Sequence, residues 1–165
     1  RAAVRAALEM EGPVYLRFGR AAVPVINTGD DYSFKIGKGV KLKDGKDVTI
    51  VATGICVDSA LKAAEKLEAD GISADVINIH TIKPIDKEII LESAKKTGKV
   101  VTVEEHSVIG GLGSAVCDVL SEELPTPVKK IGMQDMFGES GPAGELVKKY
   151  GLDGEGVYKT VKAFL

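Results

Sequence analysis

The stretch "DVTIVATGICVDSALKAAEKLEADGISADVINIHT", residues 47–81, decides the fold. It begins with a continuous apolar run over 47–54 that ends in a glycine. A helical pattern follows over 57–71, and its last residue is a glycine of the kind that ends helices. A second β-branched run occupies 73–81. A strand, a helix and a second strand in this order predict a right-handed βαβ unit with parallel strands.

The same alternation continues to the end of the chain. Two further strands are predicted at 99–106 and 127–133, and four further helices at 85–98, 110–123, 141–151 and 153–165. Asp86 is the predicted N-cap of the first of these helices, and Gly98 stands just past its end. We therefore predict an α/β fold: a three-layer α/β/α domain with a mostly parallel sheet of about five strands. Ligands of such sheets usually meet the loops at the carboxyl ends of the strands.

The composition is that of an ordinary globular domain. The chain has 165 residues, 44% of them hydrophobic, and a net charge of −2, which gives no general case for binding nucleic acid or an anionic membrane. No signal peptide and no apolar run long enough to span a membrane are visible. Cys56 and Cys117 lie far apart within apolar patterns, which predicts buried, reduced thiols in a cytoplasmic protein.

The first 47 residues follow a different pattern. "RAAVRAALEMEGP", residues 1–13, has helical spacing from its start and no N-cap residue, so we expect a helix whose beginning precedes the sequence and a chain that is a piece of a longer protein. A short strand, "VYLRF", is predicted at 14–18. Residues 21–47 are rich in glycine, Asp and Lys, which indicates a linker with a minor hairpin or extended segment.

The glycine-rich segment "EEHSVIGGLGSAV", residues 104–116, joins a strand to a helix. Free N–H groups at a helix start can bind an anion, but the G-G-x-G spacing is a poor match to a dinucleotide motif. Close packing of the helix on the strand is the favoured interpretation. The region 47–165 shows no nucleophile arrangement and no self-contained catalytic machinery.

His80 and His106 are the only histidines, and each stands at the carboxyl end of a predicted strand. A metal site needs three or four clustered ligands, and none is recognisable. A hydrogen-bonded structural role is favoured for both, while a catalytic role stays open because histidine titrates near neutrality. His106 is the stronger candidate, since Glu104, Glu105 and Ser107 could orient its ring.

Five motifs in order carry a family resemblance: "YLRFGRAAVPVI", "VTIVATGICVDSALKAAEKL", "VINIHTIKPID", "TVEEHSVIGGLGSAV" and "GMQDMFGESG". Together they resemble the carboxyl-terminal part of transketolase, particularly the small subunit of split transketolases. The resemblance covers nearly the whole chain. The same domain occurs in 1-deoxy-D-xylulose-5-phosphate synthases and in the β subunits of 2-oxoacid dehydrogenase first components.

The resemblance implies a division of the chain. Residues 1–34 would end a pyrimidine-binding domain, 35–46 would be a linker, and 47–165 would be the C-terminal domain. The family binds thiamine diphosphate and Mg²⁺ between domains of two subunits, outside the C-terminal domain, which supports the dimer. The glutamate that activates the cofactor would precede Arg1, so we expect the isolated chain to bind no cofactor and to be inactive. The implied partners are an N-terminal, pyrophosphate-binding subunit or domain and a second copy of the chain.

The resemblance also implies a role for the two arginines around Gly19. Transketolases bind the phosphate of the sugar substrate with an arginine just after this strand, and the matching positions are Arg20 and, less securely, Arg17. Guanidinium suits the task because it stays charged and binds phosphate through two parallel hydrogen bonds. Gly19 would let the strand bend so that Arg20 points into the active-site channel where the family binds its sugar substrate. The alternative is a pair of surface arginines in weak salt bridges.

Other positions match family segments near the subunit contact. The resemblance places four of them at an interface or at the rim of the active site: His80, His106, Gly110 and Gly111. Phe137 and Gly138 would set the geometry of the loop after the last strand. No residue of this chain is expected to be catalytic or to bind a metal.

The leading functional hypothesis is the C-terminal part of a transketolase of the pentose phosphate pathway, moving a two-carbon ketol unit between sugar phosphates. The alternatives are a 1-deoxy-D-xylulose-5-phosphate synthase, a 2-oxoacid dehydrogenase β subunit and a purely structural dimerisation module. The uninterrupted "RFGR", residues 17–20, has no proline inside the arginine pair, which argues against the synthase. A 2-oxoacid dehydrogenase has no need for a phosphate-binding arginine pair.

Overall fold

The computed structural model describes residues 1–20, 22–27 and 34–165. Its five strands are β1 (Val40–Lys43), β2 (Val48–Ala52), β3 (Ala74–Asn78), β4 (Val100–Ser107) and β5 (Val128–Met133). Its six helices are α1 (Ala2–Glu9), α2 (Cys56–Ala69), α3 (Lys87–Thr97), α4 (Leu112–Glu123), α5 (Ala143–Lys149) and α6 (Gly154–Phe164). Among the described residues, no helix is long and apolar enough to cross a membrane.

The five strands form one sheet in the order β1-β3-β2-β4-β5. β2 pairs in parallel with both β3 and β4, and β5 pairs in parallel with β4. β1 is the antiparallel edge strand and pairs Val40 with Asn78 of β3. The predicted α/β class with a mostly parallel five-stranded sheet is confirmed.

The sheet has an apolar core on each face, as the prediction of three layers requires. One face packs against α2 and α6, with side chains such as Ile50, Leu67 and Val157 fully buried. The other face packs against α3 and α4, around Ile77 and Leu120. Strand side chains alternate between the two cores because successive residues of a strand point to opposite faces.

Asp86 is the N-cap residue of α3, as predicted, but its carboxylate does not bond to its own helix. It accepts the backbone N–H of Gly39 at 2.9 Å and lies 3.6 Å from the Nζ of Lys38. Gly98 ends α3 in the left-handed conformation with a φ of 70°. The cap of α3 therefore holds the segment that leads into β1.

The strand predicted at 14–18 is not present: residues 13–19 form neither helix nor strand. A strand needs a neighbouring backbone for its hydrogen bonds, and no described strand pairs with this segment. Its apolar side chains are correspondingly open, with Tyr15 87% exposed and Phe18 69% exposed. The predicted helix at the start of the chain is present as α1, which has no buried residue.

β1 lies inside the stretch 35–46 that the sequence assigned to a linker, so part of that stretch is an edge strand. All four residues of β1 are half-buried. The division of the chain into 1–34, 35–46 and 47–165 stays a prediction, and residues 28–33 at its first boundary lie outside the described residues.

A buried carboxylate ties the edge strand to the sheet. Asp75 of β3 is fully buried and accepts hydrogen bonds from the Ser93 hydroxyl of α3 and from the backbone N–H of Gly45. The Nζ atoms of Lys41 and Lys96 lie 3.4 Å and 3.1 Å from its two oxygens. Removing this charge takes the buried ionic partner from two ammonium groups, which are then left with the exposed carboxylate of Asp44.

We therefore expect Asp75→Asn to lower the free energy of unfolding by about 2–3 kcal/mol, measured by urea denaturation. Asp44→Asn is the matched control, because Asp44 bonds to the same Lys96 at 2.7 Å but its side chain is 81% exposed. Its loss of stability should be clearly smaller. Equal losses in the two variants would show that burial of Asp75 does not decide its contribution.

Candidate functional site

The carboxyl ends of β2, β3, β4 and β5 lie at one edge of the sheet, because the four strands are parallel. We call this the carboxyl edge. It carries the loops that follow these strands, at 53–55, 79–86, 108–111 and 134–142. Both histidines and the glycine-rich segment belong to this edge, and one of the two predicted phosphate-binding arginines, Arg17, pairs with a residue on it.

Glu104 closes the start of α4. Its side chain is 1% exposed, and its two oxygens accept the backbone N–H groups of Leu112 at 2.7 Å and Gly113 at 2.8 Å. A carboxylate at this position also complements the positive end of the helix dipole. The N–H groups that could have bound an external anion are therefore occupied from within. This agrees with the interpretation that the glycine-rich segment serves close packing.

Gly110 and Gly111 are required by this arrangement for different reasons. Gly110 adopts a φ of 77°, which side chains other than glycine rarely tolerate. A Cβ on Gly111 would overlap the Glu104 carboxylate and would lie 2.8 Å from the Nδ1 of His106. The rim or interface role predicted for both glycines stays a prediction.

His106 lies on β4 with a half-exposed side chain. Its Nδ1 donates to the carbonyl oxygen of Ser107 at 2.8 Å and lies 3.9 Å from the Glu104 carboxylate. The ring is thus held by the backbone of Ser107, while Glu104 is engaged by α4. Of the three residues expected to orient the ring, Ser107 supplies the hydrogen bond.

His80 follows β3 and packs against the ring of Phe34, with the ring centroids 4.4 Å apart. Its Nδ1 lies 2.9 Å from the Thr81 hydroxyl, and burial lowers its pKa, which favours the neutral ring. Because β2 lies between β3 and β4, the ends of the two histidine-bearing strands are about 10 Å apart. The two rings have separate partners: His80 lies beside the Thr81 hydroxyl, and His106 donates to the carbonyl oxygen of Ser107.

Arg17 pairs with a residue of the carboxyl edge, and Gly19 approaches this edge. The guanidinium of Arg17 lies 3.9 Å from the carboxylate of Glu105 on β4. A Cβ on Gly19 would lie 3.6 Å from the side chain of Ile55, which precedes α2. The side chain of Arg20 is exposed. The sequence singled out both arginines, but it contained no signal that Glu105 would be the partner of Arg17.

Cys56 is the buried first residue of α2, and burial together with the nearby Glu105 and Glu104 raises the pKa of its thiol to about 12. Such a thiol stays protonated and is no nucleophile. Both Cys56 and Cys117 are free. These findings agree with the inference that the loop after β2 is not an activated cysteine elbow.

A metal ion that accompanies thiamine diphosphate needs several clustered oxygen ligands. No group of three His, Cys, Asp or Glu side chains among the described residues could hold a metal ion. The carboxylate buried at the carboxyl edge, Glu104, already accepts two hydrogen bonds from α4. No step of cofactor chemistry is therefore assigned to this chain, and the expectation that the cofactor binds elsewhere stays a prediction.

The fold is an α/β domain. At its carboxyl edge the buried Glu104 caps the start of α4, and the adjacent Glu105 pairs with Arg17. The family model "Transketolase, C-terminal domain" matches residues 37–157. The chain therefore belongs to the transketolase C-terminal domain family, whose enzymes depend on thiamine diphosphate.

Several relatives carry transketolase names. A 6-deoxy-6-sulfo-D-fructose transketolase subunit of Clostridium sp. is 50% identical over 92% of this chain and 47% of its own length. A putative transketolase C-terminal section of Methanocaldococcus jannaschii is 49% identical over 96% of this chain and 50% of its own length. One of the subunits of an apulose-4-phosphate transketolase from Phocaeicola vulgatus is 44% identical over 100% of this chain and 53% of its own length. The chain thus spans about half the length of each of these relatives.

Two solved structures show the same fold. A split-gene transketolase, described as an inactive β4 tetramer, is 56% identical, superposes with a TM-score of 0.93 and is matched over 98% of this chain and 53% of its own. A transketolase point mutant from Pichia stipitis is 26% identical with a TM-score of 0.59, over 77% of this chain and 18% of its own.

The close approach at Gly111 yields a stability prediction. We expect Gly111→Ala to cost about 2–4 kcal/mol of unfolding free energy, because the added methyl group displaces the buried Glu104 carboxylate from the α4 N–H groups. Gly144→Ala is the matched control, since a Cβ at Gly144 of α5 meets nothing within 4 Å. Its effect should be neutral or stabilising by up to about 1 kcal/mol. Urea denaturation of both variants measures the difference, and an unaffected Gly111→Ala would contradict this description of the cap.

Proposed function

We propose that this chain is the C-terminal part of a transketolase that moves a two-carbon ketol unit between sugar phosphates. The main support is the split-gene transketolase chain, which is 56% identical over 98% of this sequence. Relatives with transketolase names at 44–50% identity support the same activity. The pentose phosphate pathway is the proposed metabolic setting.

The rest of the enzyme is part of the proposal. The three relatives are about twice as long as this chain, which supports a parent protein with further residues. That parent would pair with an N-terminal, pyrophosphate-binding subunit, form a homodimer, and bind thiamine diphosphate and Mg²⁺ outside the C-terminal domain. The isolated chain would be inactive. A cytoplasmic location is proposed from the two free cysteines.

Arg20 is the proposed ligand of the substrate phosphate. Its side chain is exposed, and the preceding Gly19 approaches Ile55 at the carboxyl edge, where ligands of parallel α/β sheets commonly bind. Arg17 was assigned to the same phosphate by the family resemblance, and that assignment stays a prediction. Relatives named for sulfo-fructose and for apulose 4-phosphate share 50% and 44% identity with this chain, so overall identity does not define the sugar.

A 1-deoxy-D-xylulose-5-phosphate synthase is the second candidate function. Proteins of that name from Heliobacterium modesticaldum and Geobacter sulfurreducens are 40% and 41% identical to nearly the whole chain. Their name describes an enzyme that makes a deoxy sugar phosphate, whereas a transketolase passes a ketol unit from one sugar to another. A complete enzyme that forms the deoxy sugar phosphate and transfers no ketol unit would favour this candidate.

We expect Arg20→Ala to lose ketol transfer selectively with phosphorylated donors. The complete enzyme, assembled with its partner subunit, is given a phosphorylated ketose or the phosphate-free donor hydroxypyruvate, with a phosphate-free acceptor throughout. The predicted loss in kcat/KM with the phosphorylated ketose corresponds to about 2–4 kcal/mol, because a charged contact is lost. Activity with hydroxypyruvate should be preserved.

The matched control for this experiment is Arg5→Ala, which removes another exposed arginine, on α1. It should leave both donors unaffected. An equal kcat/KM for wild type and Arg20→Ala with the phosphorylated donor would make Arg20 a surface charge. Absence of ketol transfer in the wild-type enzyme would reject the transketolase activity itself.

A further inference from the structure

The arginine segment, residues 17–20, lies close to the carboxyl edge at two points: Arg17 pairs with Glu105, and Gly19 approaches Ile55. β4 alternates, so Glu104 faces α4 whereas Val103 belongs to the core beneath α2. The pairing of β4 with β5 is irregular between Val103 and Ser107, so alternation alone does not place Glu105. Its negative charge raises the pKa of the Cys56 thiol, which puts Glu105 near the start of α2. Ile55, which Gly19 approaches, immediately precedes Cys56. Arg17 and Gly19 thus both lie near the place where α2 begins.

We infer that Glu105 is a positioning residue for substrate binding: it holds Arg17, and thereby anchors the arginine segment so that Arg20 binds the phosphate. This inference rests on the proposed function, in which Arg20 binds the sugar phosphate. It gives Arg17 a different role from the one that the family resemblance implied. Arg17 is the anchor of the segment and Arg20 is the ligand.

The geometry limits how much this anchor contributes. The Arg17 and Glu105 side chains are 63% and 48% exposed and 3.9 Å apart, which is typical of a weak surface ion pair. The approach of Gly19 to Ile55, where an added Cβ would lie 3.6 Å from the Ile55 side chain, does not depend on this ion pair. Loss of Glu105 should therefore loosen the segment without detaching it. The expected effect is about a two- to five-fold change, far smaller than the effect of removing Arg20.

The test uses the complete enzyme with its partner subunit and four variants: Glu105→Gln, Arg17→Glu, Glu105→Arg, and the last two combined. The first readout is kcat/KM with a phosphorylated ketose and with hydroxypyruvate. The second does not depend on activity: the rate of tryptic cleavage after Arg20, followed by mass spectrometry. Glu122→Gln is the matched control, because Glu122 forms an exposed pair of 4.0 Å with Lys87 and lies near the end of α4, away from the carboxyl edge.

We expect Glu105→Gln to lower kcat/KM about two- to five-fold with the phosphorylated donor only, and to speed cleavage after Arg20 by a similar factor. Each charge reversal alone should be worse, and the combined reversal should recover both readouts because the ion pair is restored in the opposite sense. The recovery is what a positioning pair predicts and a second phosphate ligand does not.

Two results would overturn the inference. A combined variant as defective as Arg17→Glu alone would show that Arg17 itself contacts the phosphate. A Glu105→Gln variant that matches Glu122→Gln in both readouts would show that the pair positions nothing. If Arg20→Ala shows no donor selectivity while Glu105→Gln still accelerates cleavage, the phosphate role of Arg20 is wrong and the anchor stands.

Discussion

The carboxylate of Glu104 is the constraint on which the carboxyl edge of this domain depends. It is buried, and it bonds to two N–H groups at the start of α4, so strand and helix are joined by an ionic cap that water cannot replace. The cap leaves no room for a side chain at Gly111. The next residue, Glu105, takes no part in this cap and instead pairs with Arg17 at 3.9 Å. The two adjacent glutamates therefore bind different groups: Glu104 caps α4, and Glu105 pairs with Arg17.

Much of the fold was predictable because most strands and helices bury apolar residues whose spacing along the sequence matches the type of element. The continuous apolar runs of β2 and β3 follow from burial between two helical layers. The helical spacing of apolar residues in α2 follows from packing one side of the helix on the sheet. β1 gave no such signal, since "VKLK" is a short, lysine-bearing edge strand with half-buried residues. The segment at 14–18 failed in the opposite way. Its apolar residues indicate burial, but the sequence pattern does not show which surface would cover them. No described strand pairs with this segment.

The site was predictable only in its parts. Strand ends and glycines located the loops of the carboxyl edge, and the order of five motifs indicated the family, which the comparisons confirmed. The partners of the charged groups were not predictable, because contacts between distant residues depend on the assembled sheet. The cap at Glu104 had a signal in retrospect: α4 lacks a capping side chain at Gly111, and strand alternation directs Glu104 toward it. The pairing of Arg17 with Glu105 had none.

A crystal structure of the complete enzyme with a phosphorylated ketose bound tests the central claim most directly. Our interpretation places the phosphate against the guanidinium of Arg20 at the carboxyl edge, with Arg17 still on Glu105 and Glu104 still on the N–H groups of α4. A phosphate bound elsewhere, with Arg20 open to solvent, would contradict the proposed role of this chain in substrate binding.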